Sequence, residues 1–150
     1  MENNNEFLKA EYLHLQTTIE GFDNKALSIK TWSITFSFAA CGVAFANDAI
    51  WIFPIASIAS LAFWFLEASW KTFQYAHYER IRELEDYFSN KTRELIPFQI
   101  TKSWYLSYKK DGVGRLFKIM FWHHVYLPHL LISIIAFALF CLIHFNYVKI

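Results

Sequence analysis

The sequence predicts an all-α integral membrane fold: a transmembrane helical hairpin, a third C-terminal span, and helical extensions that form a cytoplasmic stalk. Two uncharged stretches lead to the hairpin. Thr31–Asn47 runs for 17 residues and Ala49–Leu66 for 18 without Asp, Glu, Lys or Arg, separated only by the polar Asn47-Asp48 turn. At about 1.5 Å rise per residue each is just long enough for a bilayer core of roughly 30 Å. A third stretch, Ile119–Val148, holds thirty residues with none of the four charged types. Composition agrees: 55% of the chain is hydrophobic and 20% aromatic, while four Gly and three Pro leave too little punctuation for a many-turned β fold.

The elements follow in order. Over residues 1–30 the apolar positions Leu8, Tyr12, Leu15, Ile19, Phe22, Ala26 and Ile29 recur at alternating spacings of four and three. They describe one helical stripe or a coiled-coil seam, with Glu6, Glu11, Glu20 and Asp23 off it. A helix lying on the membrane surface is the other reading, but an acidic polar face suits an anionic leaflet poorly. With no proline before Pro54, a single helix can pass from the extension into the first span, 31–47. There Ser33, Ser37, Ala40 and Ala44 share one face and Trp32, Phe36 and Val43 another. A face of small, hydroxyl-bearing residues suits either a close helix contact or a water-lined wall.

The second span, 49–67, takes Pro54 in its first turns, includes Ser57 among its small residues, and brings Ser60 and Glu67, seven apart, to nearly one face. Trp32, Trp51, Trp64 and Trp70 lie near the ends of the hairpin, where amphipathic rings prefer the headgroup zone. Glu67, embedded in FWFLEASW, is costly at that depth. It could pair with Lys71 one turn on, pair with Lys30 of the neighbouring helix, or join a cytoplasmic-side ring that concentrates cations. The helical pattern then continues over 68–96 through Phe73, His77, Ile81, Leu84 and Phe88 to about Asn90 or Leu95, with Pro97 barring it from going further. An antiparallel partner is at hand in the N-terminal helix, and the two stripes can zip together below the membrane. Residues 97–118 read as a basic and aromatic connector with a turn at Asp111-Gly112-Val113-Gly114. The last element, 119–148, is one tilted span centred on Tyr126–Phe145, with Pro128 near its start.

Charge sets an expected orientation. Three of the 14 Lys and Arg precede Thr31, ten lie between Lys71 and Lys118, one is Lys149, and none sits in the hairpin turn. The positive-inside rule then places the N-terminus and the 71–118 segment in the cytoplasm and Asp48 outside. The acidic N-terminal segment lacks the pattern of a cleavable signal peptide, and the first span is expected to act as its own insertion signal. Cys41 and Cys141 fall inside apolar stretches and read as packing residues rather than a disulfide.

Catalytic signatures are not found. There is no P-loop, GxGxxG, serine elbow or HExxH, so neither enzyme activity nor a cofactor is expected. His124 and His129 are five apart and His123 and His129 six, off the spacing that sets two ligands on one helix face. These histidines therefore predict interfacial packing and hydrogen bonding and no metal. Two chemical candidates remain. Ser33, Ser37, Ser57, Ser60 and Glu67 could line a pore. Lys102, Trp104, Tyr108, Lys109, Lys110, Arg115 and Lys118 could anchor the chain to anionic lipid or take a phosphate-bearing ligand, because cations neutralise phosphates while aromatic faces stack bases.

The strings KALSIKTWS, residues 25–33, and FWFLEASWKTFQ, residues 63–74, resemble the membrane hairpin of small effectors of bacterial anti-phage systems. These are the SLATT-type two-span proteins paired with nucleotidyltransferases and the Hailong-type channel effectors; the third span is an addition to that pattern. The resemblance covers about residues 1–90. It implies an oligomeric pore in the bacterial inner membrane that depolarises an infected cell under control of a nucleotide or oligonucleotide product. Three helices cannot enclose a conduction path, so such a role requires several copies around an axis, here a homotetramer. A non-conducting membrane anchor that recruits a cytosolic partner through residues 71–118 is the alternative.

Overall fold

The computed structural model describes residues 2–91 and 94–147, and every regular element among them is α-helical. Five helices follow one another: α1 (Glu2–Ala46), α2 (Ile52–Tyr75), α3 (Tyr78–Phe88), α4 (Ile100–Met120) and α5 (His123–His144). Three long apolar helical stretches could cross a membrane, within α1, within the α2–α3 run and in α5. The expected closing residue of the third span, Val148, lies outside the described residues.

The five helices build three long rods side by side. α1 is the first, a single helix of 45 residues and so about 67 Å long. As the uninterrupted spacing of apolar positions predicts, it carries the extension and the first span together. α2 and α3 make the second rod. The joint at Ala76 and His77 keeps helical φ and ψ, so the chain continues in nearly the same direction. α4 and α5 make the third, with an extended Trp122 between them.

Three apolar clusters lie along the rods, the middle one formed by Ala68 of α2, Ile119 of α4 and Val125 of α5. In the extension, Leu8, Leu15 and Ile19 of α1 pack on Ile81 and Leu84 of α3, with Tyr12, Tyr78, Tyr87 and Ile100 around them. These are the two sequence stripes, meeting antiparallel. A buried ion pair joins the same helices: Arg80 Nε lies 2.8 Å from Glu11 Oε1, and Glu11 Oε2 accepts the Phe98 N–H at 2.9 Å. At the far end of the spans, Ala44, Phe53 and Ile143 form an apolar plug between α1, α2 and α5. The Ser33, Ser37 and Ala44 face of α1 is buried as a helix contact, while Trp32, Phe36 and Val43 point outward.

Helix ends depart from expectation in two places. α3 stops at Phe88, well before Pro97, because Asn90 adopts φ 59° and the Lys91 N–H reaches back to the Asp86 carbonyl at 2.9 Å. The same device closes α1 at Asp48 (φ 54°) and α5 at Asn146 (φ 61°). The 97–118 segment, expected as a connector, is instead mostly helix α4. Gly112 alone breaks it, with φ 42° and ψ −129°, so the DGVG sequence is a kink rather than a full turn. Its residues satisfy helix hydrogen bonds because α4 has a surface to pack against: the Trp104 indole N–H donates to the Phe73 carbonyl at 3.0 Å, and the Trp64 indole to the Met120 carbonyl at 2.9 Å.

Candidate functional site

Three helices each bring a polar stripe to the axis between the spans. α1 presents Lys30, Ser33 and Ser37, spaced three and four apart; α2 presents Ser57, Ser60 and Glu67; α5 presents His129 and Ser133. Apart from Lys30, which retains some exposure, all are buried, and Ser33, Ser60, Glu67 and His129 have no exposed surface at all. Lipid cannot satisfy such groups, so they must satisfy one another.

They do so around His129. Its Nε2 lies 2.9 Å from Glu67 Oε2 and its Nδ1 lies 2.8 Å from Ser33 Oγ. Ser60 Oγ donates to the His129 carbonyl at 2.9 Å and stands 3.4 Å from Ser33 Oγ. The second Glu67 oxygen, Oε1, faces the Lys30 ammonium at 2.8 Å and has no other partner among the described residues. Farther along the spans Ser57 and Ser133 pair at 2.8 Å, and Ser57 also donates to the Ser133 carbonyl at 3.0 Å. Beyond them begins the apolar plug. The polar seam therefore opens at the Lys30 end and is closed at the other.

Of the partners open to Glu67 in the sequence, Lys30 is the one observed. Lys71 turns away to Asp23 and to the Gln74 amide oxygen at 2.9 Å. Partial burial works against the Asp23 carboxylate, but the Lys71 ammonium and Gln74 outweigh it and hold that carboxyl below its usual range. All five pore candidates, Ser33, Ser37, Ser57, Ser60 and Glu67, lie inside one chain between α1, α2 and α5, and none is on an outward face.

Hydroxyl, imidazole and carboxylate stand here in the order of a hydrolytic triad, yet the arrangement cannot attack a substrate. Ser33 is wholly enclosed, and it sits mid-helix, where backbone N–H groups are committed and cannot form an oxyanion hole. What the cluster can do is hold charge and move protons over short distances. No group of three or more metal-ligating side chains occurs among the described residues.

The basic and aromatic candidates are spread along α4. Trp104 and Tyr108 stack at 5.2 Å against Phe73 and are spent on packing. Arg115 is buried, bonded to Asp111 and to the Ser107 carbonyl at 3.0 Å, with its guanidinium 5.2 Å from the centre of the Tyr75 ring. That pairing holds the Asp111 carboxyl below its usual range. Lys109 and Lys110 are exposed, Lys110 standing 3.9 Å from Glu79. Lys102 borders a cavity of about 380 Å³ between α3 and α4, and Lys118 one of about 350 Å³ near Trp122, so the lysines do not converge on one site.

His129 is the residue that spacing arguments underrate. His129 was grouped with His123 and His124 as interfacial, but those two sit exposed against Tyr126 and Trp122 while His129 is at the centre. The signal was present: His129, Ser133 and Ala136 share a face of an otherwise apolar helix, and an ionisable side chain inside a span normally faces protein. No protein family, curated protein or solved structure matches this chain.

Proposed function

We propose that this chain is the membrane-depolarising effector of a bacterial anti-phage defence system. On this reading it is a homotetrameric ion channel of the inner membrane, with its N-terminus and helical extension in the cytoplasm, gated by a nucleotide or oligonucleotide from a nucleotidyltransferase partner. The hairpin resemblance supplies the biological setting. Charge asymmetry supports the orientation, since the extension carries most of the Lys and Arg.

The observation that carries conduction by several copies is the outward face of α1. One stripe of it, Thr31, Thr35, Ala39, Gly42 and Ala46, is exposed beside the bulky Trp32, Phe36, Phe38, Val43 and Phe45, and the space next to Gly42 is open. The outward faces of α2 and α5 carry bulky groups such as Ile55, Ile58, Phe65, Leu131, Ile134 and Phe137. Small and hydroxylated residues allow close approach and tolerate water, whereas the bulky faces suit lipid. The lining therefore moves from the serines and Glu67, which are enclosed within each chain, to the α1 face. In planar bilayers, purified protein should give unitary currents that Thr35→Trp abolishes without changing helicity or melting temperature. Bilayers that stay silent with and without nucleotide would refute the channel.

A second reading, the non-conducting adaptor, has its own support in α4. Lys109 and Lys110 are both exposed on α4, where Lys110 stands 3.9 Å from Glu79 of α3 and leaves a basic face open to a partner. Electrical silence together with a soluble enzyme lost on replacing Lys109 and Lys110 by Gln would establish it.

A further inference from the structure

The partners of His129 permit two charge states with both ring nitrogens matched. With Glu67 ionised beside Lys30, the imidazole Nε2–H donates to Glu67 Oε2, and Nδ1 accepts the Ser33 hydroxyl proton. Ser60 spends its own proton on the His129 carbonyl, which leaves lone pairs on Ser60 Oγ turned toward Ser33 at 3.4 Å. Add a proton at Nδ1, and that nitrogen becomes a donor to Ser33 Oγ. Ser33 then rotates its hydrogen to Ser60. One hydroxyl rotation accommodates the change, with no heavy atom displaced.

We infer that Lys30, Glu67, His129, Ser33 and Ser60 form an intramembrane proton-binding site. One hydronium ion gives up a proton to the coupled Glu67–His129 pair and leaves as water, and the triad of Lys30, Glu67 and His129 passes from neutral to singly positive. Loading is one-sided. Among the side chains of the site Lys30 alone keeps appreciable exposure, 20%, while the apolar cluster of Ala44, Phe53 and Ile143 lies in the opposite direction. The charged and titratable groups facing His129 come from each packed element: Lys30 from α1, and Glu67 from α2 with the Lys71–Asp23 pair one turn below it. Its own helix adds His124, and α4 meets this region through the apolar Ile119 and Met120. The inference does not depend on conduction, and its test reads protons rather than current.

Nitrogen-15 NMR of histidine-labelled protein in nanodiscs tests it across a pH series, with the His129 signal assigned by its loss in His129→Gln. The expected result is passage from a neutral Nε2–H tautomer to a doubly protonated ring. Ser33→Ala removes the acceptor for the new Nδ1–H, so uptake should need about tenfold more protons, and Ser33→Thr should restore it. Overturning results are a His129 ring that keeps one tautomer and one charge at every pH where the protein stays folded, or a transition that Ser33→Ala leaves in place.

Discussion

Glu67 is the residue on which the spans converge, since it touches a cation from α1 and an imidazole from α5. Removing one member of a buried pair strands the other. Lys30→Met should therefore cost about 3 kcal/mol or more, and Glu67→Gln a similar amount. The double variant should cost less than the sum, because neither leaves an unmatched charge. Thermal unfolding of the three variants in detergent measures this, and strict additivity would show that the two side chains do not pair. His77 offers a second test at this scale. Its Nδ1 is buried without a partner among the described residues, and burial, aided by the charge of His14, pushes its imidazole below the ordinary 6.5. Between the lowered value and 6.5 the unfolded chain binds more protons than the folded one, so stability falls as pH drops through 6.5 and levels off below the folded value. His77→Phe fits the ring contacts with Phe22 and Trp104 and should flatten that slope relative to the parent.

Among the elements, α1 and α3 were the most legible, because their packing obeys the helical period directly. Leu15 and Leu84 were on the expected stripes and both are completely buried. Leu84→Ala should destabilise the extension by about 2–5 kcal/mol, visible as earlier loss of helicity on heating. What periodicity could not give was where helices end. Asp48, Asn90 and Asn146 each do the work usually assigned to glycine; the Asn47-Asp48 turn stands out between two uncharged stretches, but the contexts of Asn90 and Asn146 do not distinguish them from the helical Asn24. Asn90→Val should cost about 1–2 kcal/mol through its positive φ, whereas Asn90→Gly should be neutral or better. α4 escaped detection for a different reason: two glycines and a mixed face weaken its pattern, and its helicity depends on Phe73 and Tyr75 across the interface. The site was half legible for the same cause. Serine and Glu67 positions could be placed on faces, but which three faces meet is a tertiary fact.

At the scale of the molecule, three rods run up, down and up through one set of contacts. The arrangement fixes which parts share an end. The plug packs the start of α2 beside the ends of α1 and α5, so the Asp48 turn and Asn146 lie together, while Asn24 and Lys102 lie along the extension. Single cysteines at these four positions, in a background with Cys41 and Cys141 replaced by Ala, should divide into two classes toward a membrane-impermeant maleimide applied to intact cells. Asp48→Cys and Asn146→Cys should label from outside, and Asn24→Cys and Lys102→Cys only after the cells are opened. Reversal of both classes would overturn the charge-based orientation but keep the three rods. Labelling that separated Asp48 from Asn146 would instead require an even number of crossings between them to fail, and with it the third span. The polar seam would then lose α5, and His129 could not reach Glu67 at all.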